Sequence, residues 1–162
     1  MRHLAQKSVA TFIFLMSFTL MAGSVNAQLA DGKRLTAEAV DGIMAAAQAE
    51  AQANGWNVTI AVVDAGGHLL QLKRLEGANT ATVDIAIGKA RTSAGFGAPS
   101  QVFQNMVPNR QAFLSVSSDL VLLEGAVPIT ADGQVLGAVG VSGVAAENDA
   151  RIAQAGVDAL EQ

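Results

Sequence analysis

The most apolar stretch of this 162-residue chain reads as a segment that its fold never uses. Arg2 and Lys7 open it with positive charge, and Val9 to Ala22 is an almost unbroken apolar run. Val25-Asn26-Ala27 then places small or modest side chains where a signal peptidase reads. The run falls short of the roughly 20 apolar residues that span a bilayer. Residues 1–27 are therefore expected to be an export signal, with an uncleaved anchor as the alternative. Residues 28–162 are expected to be the single domain that folds, periplasmic or secreted, with no stable membrane anchor after cleavage.

That cut reshapes the chemical inventory. His3 leaves with the signal, so His68 becomes the one histidine, and Met44 and Met106 become the remaining methionines. Losing Arg2 and Lys7 takes the formal net charge from −4 to −6. There is no cysteine and no tyrosine. A zinc site built from histidine or cysteine is excluded, as are thiolate nucleophiles and iron–sulfur clusters. The remaining cations are scattered among 14 acids, which argues against a nucleic-acid partner.

Hydrophobic spacing organises the rest. Thr36 is placed to cap a helix in which Val40, Ile43, Met44, Ala47 and Ala51 recur at helical intervals, ending at Asn54-Gly55. Its alanine richness suggests close packing against a sheet or a neighbouring subunit. Val58–Asp64 and His68–Leu75 read as strands joined by Ala65-Gly66-Gly67, with His68, Leu70, Leu72 and Arg74 on one face. Val83, Ile87, Ala90 and Ala94 mark a second helix, and Pro99 opens a short third one carrying Val102, Phe103 and Met106. Phe113 and Leu114 fall in a loop or broken helix. Leu120–Glu124 and Val127–Thr130 read as short strands, Asp132-Gly133 as a two-residue hairpin turn, and Val135–Ser142 as a further strand. A last helix runs from Glu147 to Leu160, with Ile152, Ala155, Ala159 and Leu160 towards one side. The expected fold is α/β: a single antiparallel sheet of about five strands flanked by helices.

Few constellations carry chemistry. Gly137, Gly140 and Gly143 lack the spacing and lysine of a phosphate loop and fit close backbone packing better. Gly140-Val141-Ser142-Gly143-Val144 lacks the last glycine of a nucleophile elbow. His68 follows two glycines and reads either as a hydrogen-bonded residue at a sheet end or as an axial ligand or acid–base group. Lys89 and Arg91 read as a solvated helix face or as partners for a substrate carboxylate. Glu147 and Asp149 are explained by the dipole of the helix they begin.

Four blocks then resemble one family. Ile60 to Leu70, with its Asp64-Ala65-Gly66-Gly67-His68 core, resembles the first hairpin of the GlcG/HbpS family, and Lys89-Ala90-Arg91-Thr92-Ser93-Ala94 resembles its central helix. Leu123 to Ile129 and Asp132 to Gly143 resemble its second sheet half, in order, so that the likeness runs from about Leu35 to Leu160. Ala126 stands where the family commonly has a second glycine. The resemblance implies a profilin-like α/β sandwich that forms symmetric homo-oligomers, often octamers. It also implies haem binding in some members, a two-component sensor partner for one secreted member, and a relation to a domain of PduO-type cobalamin adenosyltransferases. Other members sit in glycolate or aromatic degradation operons.

The function expected on this basis is an exported, non-enzymatic binding module for haem or a related tetrapyrrole. His68 would be the metal ligand, Met44 or Met106 the remaining common ligand type, Phe96, Phe103 and Met106 the apolar slot, and Gly66 and Gly67 the point of close backbone approach. The alternatives are an enzyme on a small organic acid, with His68 as acid–base group and Lys89 or Arg91 as carboxylate clamp, and a structural or signalling oligomer with an exported partner. Processing is expected to leave Gln28 as the first residue. Intact-mass measurement of exported protein checks this, and a species retaining residues 1–27 would mean an anchored protein instead.

Overall fold

A chain whose strands alternate apolar residues on both sides needs a helix layer on each face of its sheet. The computed structural model describes residues 32–109, 112, 115 and 118–160. The expected signal at residues 1–27 and the pair Phe113 and Leu114 lie outside these. The order is α1 (Ala37–Ala53), β1 (Thr59–Asp64), β2 (Leu69–Arg74), α2 (Thr82–Phe96) and α3 (Ser100–Met106). A 3₁₀ turn at Val107–Asn109, β3 (Ala126–Ala131), β4 (Gln134–Ser142) and α4 (Ala146–Asp158) follow. The strands form one antiparallel sheet in the order β2-β1-β4-β3. Among the described residues no helix is long and apolar enough to cross a membrane.

The sheet has four strands, not about five. Leu120–Glu124 does not join it, because the backbone of Val121 is engaged by α2 instead. The Val121 N–H donates to the Gly88 carbonyl at 3.2 Å, and its carbonyl accepts from the Thr92 hydroxyl at 3.0 Å. Both expected hairpins form. At the second, Asp132 (φ 49°) and Gly133 (φ 75°) adopt the left-handed pair that a type I′ turn requires. At the first, a bulge interrupts the ladder: Val62 pairs with Gln71 and Val63 with Leu69, leaving Leu70 as an extra residue. The two-residue alternation expected from His68 to Arg74 is therefore broken at Leu70.

The two faces of the sheet carry side chains of different size. Ile60 and Val62 of β1, Val139 and Val141 of β4 and Ile129 of β3 form one core with Val40, Ile43, Met44, Ala47 and Ala51 of α1 and with α4. Thr36 caps α1 as its sequence implies, its Oγ1 accepting from the Ala39 N–H at 3.2 Å. On α4 the buried stripe is Asp149, Ile152, Ala153, Gly156 and Val157; Ala155, Ala159 and Leu160 are not part of it. The opposite face is made of Val63 and Ala138 against Ala90 and Ala94 of α2. There the helix lies almost on the strand: a Cβ on Gly140 would stand 2.2 Å from the Ala86 carbonyl oxygen and 2.7 Å from the Ala90 nitrogen.

Gly140→Ala is therefore expected to force α2 off the sheet and to destabilise the fold by about 1–3 kcal/mol. Gly42, exposed on α1 with open space around it, is the control. Gly42→Ala should stabilise by about 0.5–1 kcal/mol through its gain in helix propensity. Urea unfolding midpoints of the two variants should move in opposite directions.

Candidate functional site

β1 ends at Asp64, and that carboxylate organises the turn that follows. Oδ1 of Asp64 accepts the N–H of Gly66 at 2.8 Å and of His68 at 2.9 Å. The backbone closes the same turn, with the Asp64 N–H donating to the His68 carbonyl at 2.9 Å and the Gly67 N–H to the Asp64 carbonyl at 3.0 Å. The His68 amide, with smaller contributions from Gly66 and the imidazole, holds the Asp64 carboxyl below its ordinary value of 3.8 against the opposing effect of partial burial. The His68 ring stands over this turn with Nδ1 at 3.2 and 3.3 Å from the two Asp64 oxygens. Its side chain is 82% exposed, and Nε2 has no partner among the described residues.

α2 supplies the second wall. Gly67 sits at φ 79°, a left-handed conformation that favours glycine, and a Cβ there would press to 3.3 Å on Cγ of Arg91. The Arg91 Nε–H donates to the Gly67 carbonyl at 3.2 Å, so helix and turn are tied together. Between them lies an open cleft of about 370 Å³, walled by Gly66, Gly67, His68, Arg91, Asp119 and Leu120 among others. Leu69 and Leu70, next along the chain, are 44% and 45% exposed. The cleft itself combines an accessible imidazole nitrogen, a guanidinium and the apolar side chain of Leu120. Such a set can ligate a metal, move a proton or hold an anion.

The structure unites only part of the expected site. His68, Gly66, Gly67 and Arg91 come together. Phe96 and Phe103 stack on each other at 4.5 Å between ring centres, where α2 meets α3, and neither they nor Met106 wall the His68 cleft. Met44 is buried in the α1 core. Ser142 pairs with Thr59 at the far end of β1 from Asp64, so it does not approach His68. Among the described residues no group of three or more His, Asp or Glu side chains is placed to hold a metal ion.

Lys89 is corrected on both of its expected readings: it is neither a solvated charge nor a ligand clamp. Its Nζ donates to Asp149 Oδ2 at 2.8 Å and to the Val141 carbonyl at 3.0 Å, and the two side chains are 4% and 3% exposed. Asp149 also accepts the Val144 N–H at 3.2 Å. Burial raises the Asp149 carboxyl above the usual carboxylate value, against the pull of Lys89. Sequence reasoning missed both acids that matter. The spacing Asp64-x-x-x-His68 around two glycines is a legible Asx-type turn signal. Asp149, in the first turn of a helix, carries no signal that separates it from an ordinary dipole partner.

Lys89→Met should leave Asp149 buried without its partner and cost about 3–5 kcal/mol of stability. Adding Asp149→Leu should recover most of that loss, because the uncompensated charge is removed. Urea denaturation of the single and double variants measures both. A single variant as stable as the parent would show that the pair contributes nothing.

Comparison with known proteins places this geometry. A family model described as haem-degrading protein, HbpS-like, matches residues 35–158. Protein GlcG of Escherichia coli K12 is 43% identical over 108 residues, which cover 67% of this chain and 81% of GlcG. A crystal structure of a double mutant of Streptomyces reticuli HbpS superposes with a TM-score of 0.78 at 27% identity, covering 97% of this chain and 99% of that one. A PduOC structure solved as a haem complex shares the fold, with a TM-score of 0.74 at 24% identity over 78% of this chain and 95% of its own. With its sheet order, its helix layers and its sequence matched over most of its length, the chain belongs to the HbpS-like family.

Proposed function

We propose that the chain is an exported binding module for haem or a related tetrapyrrole, with the cleft beside His68 as its site and residues 28–162 as the working domain. The observation that carries this reading is the state of the His68 imidazole. Its Nδ1 is engaged by a carboxylate, its Nε2 has no partner among the described residues, and the ring stands exposed at the mouth of a cleft. Metal-ligating histidines characteristically hold their second nitrogen on a carboxylate, which fixes the ring and raises its basicity. Bound haem supplies an iron centre that accepts such a nitrogen. Asp64 orients the ring, and Leu120 gives the cleft an apolar side chain. The family description and the haem complex of a structural neighbour support the choice of ligand.

The cleft is open, so one subunit covers part of a flat ligand and a second copy completes the cover. This fits a symmetric homo-oligomer of octamer type. Ala47 and Ala51 of α1 are buried within the subunit, leaving the other side of α1, with Gly42, Ala45 and Ala49, as its outward surface. One observation favours the organic-acid reading as well: His68 and Arg91 share a cleft, the pairing that acid–base work on a carboxylate substrate needs. Turnover of hydroxy or oxo acids by the parent, abolished in His68→Ala, would establish that reading.

Haem titration of the mature protein should give a saturable Soret shift. His68→Ala should weaken binding by at least about tenfold and move the Soret band, while Asp64→Asn should weaken it less, within the roughly 10–100-fold range of outer-shell partners. Because the ring is exposed, the unfolding midpoint of His68→Ala should stay near that of the parent. No Soret change in the parent protein would overturn the proposal.

A further inference from the structure

Most charged side chains of the described residues have partners or stand in open solvent. Lys33, Lys89 and Arg151 each pair with an acid: Asp132, Asp149 and Glu50. Arg34, Lys73 and Arg74 have no acid partner among the described residues and are exposed. Arg91 is different: it is half-buried, and no acid of the described residues forms an ion pair with it. A cation drawn partly out of water without an anion is unfavourable unless something else supplies the charge.

The geometry sharpens this. One of the five guanidinium N–H groups, on Nε, is committed to the Gly67 carbonyl. That bond holds the side chain against the turn and leaves the terminal nitrogens without a partner among the described residues. Arg91 also forms part of the boundary between two clefts. One, of about 370 Å³, contains His68, and the other, of about 380 Å³, contains Asp84 and Ser118. Asp119 belongs to the walls of both. The planar fork of arginine matches a carboxylate through two parallel hydrogen bonds, and a fork held in place beforehand loses little freedom on binding.

We propose that Arg91 is the specificity-determining residue of the His68 cleft, and that it selects ligands carrying a carboxylate, which it binds through its terminal nitrogens. The assignment rests on that cleft being the ligand site. It names the ligand class more narrowly: a tetrapyrrole with free propionates, or a small organic acid, is accepted where an esterified or neutral analogue is not. Gly67 is a positioning residue, since its carbonyl holds the guanidinium in place.

Two measurements test this. The first compares haem with haem dimethyl ester, whose propionates carry no charge. The parent protein should bind haem about tenfold or more tightly than the ester, as expected for a charge-assisted pair. Arg91→Gln should bind the two alike, and Arg91→Lys, which keeps the charge but loses the fork, should recover only part of the preference. Equal affinity of the parent protein for haem and ester would overturn the proposal. The second follows sodium propionate, at constant ionic strength, by NMR of ¹⁵N-labelled parent protein. Saturable shifts of the Arg91 Nε–H and of the Gly67 and His68 amides support the carboxylate site, and their absence overturns it. If the parent protein binds neither haem nor ester, the haem reading fails and the propionate titration alone decides Arg91. If the Arg91 variants do not fold, both measurements on the parent protein still decide it.

Discussion

The structure depends on a central strand pair, β1 and β4, that is buried on both faces. A strand covered twice must solve two packing problems at once, because successive side chains point to opposite sides. Here the solutions differ. Two helices, α1 and α4, fill one side and meet Ile60, Val62, Val139 and Val141. One helix, α2, covers the other and meets Val63, Ala138 and the bare backbone of Gly140. The small side chains bring α2 close, and that closeness places Lys89 within reach of the Val141 carbonyl and of Asp149 on α4. A helix from each layer is thereby joined by one buried ion pair, which has an excellent set of hydrogen bonds but a large desolvation term against it.

The candidate site is a consequence of the same arrangement. β1 is rigid because it is buried, so the carboxylate at its end, Asp64, stands in a defined place. The turn is built on that carboxylate, and the imidazole of His68 is set above it. The close approach of α2 then delivers Arg91 to the carbonyl of Gly67. An exposed side chain is usually free to rotate; this one is oriented by a turn whose amide hydrogens are already satisfied. That is the kind of support a ligating or proton-transferring group requires.

Charged groups two residues apart on α2 face opposite ways. Lys89 is turned into the protein and completes a contact between layers, whereas Arg91 faces the cleft and has no acid partner among the described residues. Membership of the HbpS-like family explains the shared architecture, and architecture does not by itself decide chemistry. In this chain the candidate site is made by a five-residue turn and the helix face that touches it.

Much of the fold was legible in the sequence because it rests on contacts between near neighbours. The Thr36 cap, the buried face of α1, both hairpin turns and the start of α3 at Pro99 all arise within a few residues, where propensity and spacing act directly. Only the tertiary structure decided that Leu120–Glu124 would bond to α2 instead of extending the sheet, that the apolar face of α4 would run through Gly156 and Val157, and that a bulge would interrupt β2. It alone decided that Lys89 would find Asp149, 60 residues away, and that Arg91 would find Gly67, 24 residues away. The physical reason is the range of the signal. Periodicity and turn chemistry record the local path of the backbone, whereas a partner for a charge is fixed by the distance between layers. Here that distance was set by alanines and a glycine elsewhere in the chain.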